Sequence, residues 1–199
     1  MKVALGLKAH SGWAALVSVA GEHGELRVTD RRRIELVEPD ATWAKQPYHA
    51  AEMLESKAAC ELVKRATRHV RGVAVRHVRE IVSQCEASGY ELAGCAVLTP
   101  EPMPAWRTTD ILAVHFRMHK GVLFPDALCR AAEACGVAFV PVPEKRLPVL
   151  VKDIVGAPLD RAMKDVTALG KSVGAPWGRD QKLATLAALI ALRATRTGP

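Results

Sequence analysis

Hydrophobic positions fall in short runs before residue 37 and in helical stripes after residue 49. Val3-Ala4-Leu5-Gly6-Leu7 is uniformly apolar, the pattern of a strand buried on both faces. Lys8-Ala9-His10-Ser11-Gly12 reads as a polar, glycine-ended turn. Trp13 to Val19 forms a second β-prone run, closed by Gly21-Glu22-His23-Gly24. Leu26, Val28, Ile34 and Leu36 carry a third strand, interrupted by Asp30-Arg31-Arg32-Arg33. Two short turns joining three strands predict an antiparallel meander. Within it Val3–Leu7 belongs at the centre, and the charged third strand at an edge.

Residues 38–48, with Pro39, Asp40 and Pro47, read as a loop. A long helix is then predicted from about His49 to Ser88, with Val63, Ala66, Val70, Ala74, Ile81 and Cys85 as its buried stripe. Gly72 lies inside it and marks a place for a bend. Leu92–Leu98 is the fourth strand, stopped by Thr99-Pro100-Glu101-Pro102-Met103-Pro104. Residues 109–135 look helical, with Pro125 restarting or kinking the helix and Gly136 ending it. Val137–Val142 is a fifth strand, and the C-terminal quarter is helical in two or three pieces, the last from about Gly178 to Thr195. The predicted order is βββαβαβα: an α/β protein with a mixed five-stranded sheet, three antiparallel strands leading into alternating helix and strand.

A length of 199 residues with 49% hydrophobic content supports one domain over 1–199. No apolar run reaches the roughly 20 residues that span a bilayer, which predicts no membrane partner. Cys60, Cys85, Cys95, Cys129 and Cys135 show no CxxC pairing and lie in periodic apolar segments. They read as reduced core thiols, which predicts a cytoplasmic protein.

The net charge of +7 is uneven. Between Lys57 and Arg79 the long helix carries seven lysines and arginines against Glu61 alone, whereas residues 80–142 are net acidic. Lys64, Arg68, Arg71 and Arg79 fall close to one line on this helix and are candidates to meet nucleic-acid phosphates. A solvated outer face explains the same residues.

The element order is similar to that of the ribonuclease H-like fold, shared by many nucleases, resolvases and transposases. That resemblance covers nearly the whole chain, through order and not through sequence motifs. It implies an active site where the first strand, the end of the fourth strand and the start of the last helix converge. In that family carboxylates there hold two divalent ions for in-line attack on a phosphodiester. Here the corresponding places hold Lys8, Glu101 and Asp180. Lys8 puts a cation where the family has an aspartate, so tight Mg²⁺ binding is not expected.

Further candidates surround that place. His10 and Ser11 read as a polar pair directed into the same cleft, a base beside a hydroxyl. Lys145, in Glu144-Lys145-Arg146 after the fifth strand, lies where open α/β sheets bind ligands. His115 and His119 are four apart on a predicted helix and could clamp a metal. Trp177 reads as a staple for the last helix. The leading expectation is a non-catalytic protein binding an anionic partner such as nucleic acid, through Lys8, His10, Ser11 and Lys145 or through the basic helix, with no cofactor. The alternative is a divergent metal-dependent nuclease or resolvase using Glu101 and Asp180 with Mg²⁺ or Mn²⁺. A homodimeric scaffolding protein is a further alternative.

Overall fold

The computed structural model describes residues 1–22, 25–100 and 121–194. Five strands form one sheet in the order β3-β2-β1-β4-β5. They are β1 (Lys2–His10), β2 (Trp13–Glu22), β3 (Glu25–Glu35), β4 (Glu91–Thr99) and β5 (Phe139–Pro143). β1 is central, antiparallel to β2 and parallel to β4, as its unbroken apolar run predicts. The helices are α1 (Pro47–Ala51), α2 (Ser56–Ala87), α3 (Leu123–Ala134), α4 (Leu147–Leu150), α5 (Leu159–Leu169) and α6 (Arg179–Ala194). None is long and apolar enough to cross a membrane among the described residues.

Three boundaries differ from the sequence expectation. β1 runs on to His10, because Lys8 pairs with Ala15 and His10 with Trp13 across the ladder. The turn shrinks to Ser11 and Gly12, whose φ of +89° suits a residue without a side chain. The charged run Asp30–Arg33 does not interrupt β3. It lies in the ladder opposite Ser18 to Ala15, beside a bulge between Ser18 and Val19. An edge strand tolerates this, since one face of each residue looks outward.

The long helix begins at Ser56, not at His49, and α1 is a separate turn of helix before it. Met53 and Leu54 between them are exposed, so no burial holds that stretch onto either helix. α2 passes through Gly72 without a break. Pro125 falls in the first turn of α3, where a missing N–H breaks no helical bond.

The sheet separates two apolar layers. Val3, Leu5, Leu7, Leu16 and Val97 face α2 and α3, meeting Val70, Ala74 and Leu128. Ala4, Val17, Val19, Ala96 and Leu98 face α6 and α5, meeting Ala188, Ile190 and Val166. α6 lies unusually close to β1: a Cβ on Gly6 would fall 1.7 Å from the Ala184 carbonyl oxygen. The alanines of α6 make this approach possible, and it brings the helix start beside the end of β1.

Candidate functional site

Alternate residues of a strand share a face. Gly6, Lys8 and His10 of β1 therefore share the face that α6 covers. Gly6 takes the helix backbone, which leaves Lys8 and His10 at its open, N-terminal end. This is the carboxyl end of the parallel strands β1, β4 and β5.

Lys8 forms an ion pair with Glu144, the first residue after β5, reaching across the end of β4. Its side chain is only 15% exposed. An ammonium that deep needs an opposite charge, because desolvation penalises an unpaired ion far more than a paired one. Glu144, which spacing gave no reason to single out, is that partner.

His10 meets the last helix. Its Nε2 lies 3.0 Å from Oδ2 of Asp180, in the first turn of α6, where the helix dipole favours an anion. The two atoms are close without an aligned hydrogen bond between them. The helix-end hydrogen bond is supplied elsewhere, by Gly178 N donating to Gln181 Oε1. On its other side the His10 ring stacks on Trp13, with centroids 4.3 Å apart and planes 14° apart. The Arg33 guanidinium stands 4.2 Å from the Trp13 ring centroid. A row of side chains thus runs Asp180–His10–Trp13–Arg33 from helix to sheet edge. Arg31 of β3 fixes the approach to α6 by donating to the carbonyls of Gly174, Ala175 and Pro176.

His10 and Asp180 therefore come together, with Lys8 two residues before His10 on the same face of β1; of the three places the resemblance implies, Lys8 and Asp180 are described and Glu101 is not. The expected His10–Ser11 pair does not. His10 turns toward α6, while Ser11 opens into a cavity of about 220 Å³ that Lys45, Tyr48 and Phe124 also line. The reversal of side-chain direction along β1 and its turn separates them. Lys145 is exposed in the turn that also carries Glu144. Glu101, His115 and His119 lie outside the described residues.

Both described carboxylates at this end of the sheet have a cationic or histidine neighbour. Glu144 is engaged by Lys8, and Asp180 lies against His10. Among the described residues no three His, Cys, Asp or Glu side chains come together to hold an ion. The ammonium of Lys8 occupies the first-strand place and would repel a divalent cation there.

The basic helix is less free than its sequence implies. Arg71 donates to Asp126 Oδ2 at 2.7 Å, and Asp126 is a nearly buried carboxylate of α3 that also lies 3.6 Å from Arg130. Arg71 is thus a tie between α2 and α3. Arg76 pairs with Glu38, and Arg65 stands over Trp43. Lys64 is exposed and pairs with Glu61, while Arg68 and Arg79 are exposed. Trp177 is a staple: its ring packs on Gly170, and Nε1 donates to the Val166 carbonyl at 3.1 Å. The five cysteines are unpaired. Burial pushes the Cys95 and Cys129 thiols up to about 12, so they are inert packing groups.

At the level of sequence, no family model and no curated protein matches the chain. Solved structures do. A structure of RuvC from Thermus thermophilus superposes with a TM-score of 0.57 at 16% identity, covering 98% of this chain and 96% of that one. RuvC from the same organism in complex with a Holliday junction substrate gives 0.56 at 15% identity, with the same coverage. The likeness spans the three antiparallel strands, the parallel pair and the helices on both faces, and the chain therefore has the ribonuclease H-like fold.

Proposed function

We propose that this protein engages nucleic acid as a divergent relative, in fold, of nucleases and resolvases, and that it does so without a two-metal centre. The observation that supports the nucleic-acid reading is the whole-length likeness to RuvC, one structure of which holds a Holliday junction substrate. The exposed Lys145 beside the Lys8–Glu144 pair and the exposed Lys64, Arg68 and Arg79 of α2 are the candidate contact surfaces. Ammonium and guanidinium groups suit phosphate oxygens, and release of condensed counterions drives such contacts.

Metal-dependent cleavage is the second reading, and the likeness to RuvC favours it over a plain binding protein. It would rest on Asp180 and Glu101 with Mg²⁺ or Mn²⁺. Lys8 paired with Glu144 favours the first reading. One experiment separates them. A labelled four-way junction and the matching linear duplex are incubated with the protein in EDTA, in Mg²⁺ and in Mn²⁺, and mobility and products are read from the same samples. The proposal expects a retarded, uncut junction in all three. Cleavage that requires metal and disappears in Asp180→Asn would establish the second reading. Neither retardation nor cleavage, at low salt, would refute both.

A further inference from the structure

We infer that the Lys8 ammonium is a built-in replacement for a divalent cation, neutralising Glu144 so that this end of the sheet is indifferent to metal. The inference rests on the ion pair and its surroundings, and it does not depend on nucleic acid being the ligand.

Three features carry it. Lys8 is fixed in the central strand, between the position where α6 presses on Gly6 and the His10–Asp180 contact. Its side chain is 15% exposed where it stands. Its partner Glu144 has its backbone placed by a 3-10 turn directly after β5, with a side chain 34% exposed. The two charges are therefore brought together by the sheet itself, through β1, β4 and β5, and not by two flexible surface chains meeting.

A divalent ion entering this place faces two obstacles. The oxygen it would seek on Glu144 is already satisfied by an ammonium. The same ammonium repels it at short range, where partial burial weakens solvent screening. Mg²⁺ also demands near-ideal octahedral oxygen coordination, which one engaged carboxylate does not provide. Asp180, the other described carboxylate at this end, lies against His10.

The converse is equally specific. Without the ammonium, Glu144 is a partly buried carboxylate lacking its counter-charge, at the same end of the sheet as Asp180. A divalent cation then supplies what Lys8 supplied. The lysine and the metal are alternatives for one electrostatic role.

The test uses the full chain without nucleic acid. Thermal unfolding and calorimetric titration with Mn²⁺ are compared for wild type, Lys8→Ala and Lys8→Gln, with EDTA reversal. Wild type should show no binding heat and no Mn²⁺-dependent rise in midpoint. The Lys8 variants should gain an EDTA-reversible rise, of the kind expected when an ion binds only the folded state at concentrations about 10 to 100 times its dissociation constant. If a variant does not fold alone, Mn²⁺ added during refolding should recover it. Mn²⁺ stabilisation of the wild type would overturn the inference. So would a folded variant indifferent to Mn²⁺, or an unfolded one that Mn²⁺ does not rescue.

Discussion

Asp180 in the first turn of the last helix lies 3.0 Å from Nε2 of His10 at the end of the central strand. Each side chain remains about a third exposed, at 28% and 35%, so solvent screens the pair. A double-mutant cycle with His10→Ala and Asp180→Ala should give a coupling of about 0.5–1 kcal/mol at neutral pH. Chemical denaturation of the four proteins measures it. A coupling indistinguishable from zero would mean that α6 is placed by its packing on the sheet and by the Arg31 contacts, without help from this pair.

That packing has its own test. A methyl group on Gly6 would fall 1.7 Å from the Ala184 carbonyl oxygen, against rigid helix backbone and not a flexible side chain. Gly6→Ala should cost about 3 kcal/mol or more, at or beyond the upper end of overpacking losses. The loss should appear in the denaturant midpoint or, at worst, as failure to fold. Gly72→Ala, where an added Cβ meets nothing within 4 Å, should instead stabilise α2 by about 0.5–1 kcal/mol.

Arg71 and Asp126 make the clearest distinction between a structural and a ligand-facing arginine. Asp126 is nearly buried and keeps a second, longer contact to Arg130 when Arg71 is removed. Arg71→Ala should therefore destabilise by about 2 kcal/mol, less than the ~3–5 kcal/mol typical of breaking a fully buried pair. Arg68→Ala, on the exposed surface, should stay within about 0.5 kcal/mol of wild type. Stability lost through Arg71 thus has an explanation inside one chain, in α3, and does not require a second subunit.

The order of strands was legible because it rests on hydrophobic runs. Val3–Leu7 has no polar residue, and such a strand belongs inside a sheet. The end of β1 was not legible, because Lys8 and His10 are polar and look like turn residues in isolation. They remain in the strand since β2 supplies their ladder partners. Lys8 and Asp180 were placed by element order, but their contacts were hidden. Glu144 and His10 are reached across other strands and through the last helix, and no local spacing records that. The stripe on α2 was legible as charge, yet the sequence could not reveal that Arg71 turns to a buried aspartate on α3.

Contact between phosphates and the exposed basic residues of α2 would leave a measurable signature. If Lys64, Arg68 and Arg79 each neutralise a phosphate, the triple alanine variant should flatten the slope of log K against log salt. The expected change is about 0.9 per lost contact on duplex DNA and about 0.7 on single strands. Unchanged affinity and slope would make this face a solubility feature, leaving the surface around Lys145 as the contact surface.

The buried thiols predict an alkaline limit. Cys95 and Cys129 rise from an ordinary 9.0 to about 12, first because burial disfavours the thiolate. With the folded value raised, their contribution is complete below pH 9 and is lost progressively as pH climbs toward 12. Stability should fall between pH 9 and 11 by on the order of 2 kcal/mol per thiol. In Cys95→Ala with Cys129→Ala the midpoint should be lower at pH 8 but flatter across that interval. An equally steep fall in the double variant would place the alkaline limit elsewhere.

Nucleic acid should bind here without metal. The most direct measurement is the equilibrium anisotropy of a labelled four-way junction titrated with wild-type protein at low salt, once in EDTA and once in Mg²⁺. Binding is expected in EDTA, with an affinity that Mg²⁺ lowers only as added salt does. Binding that appears only when Mg²⁺ is present, or no binding in either buffer, would contradict it.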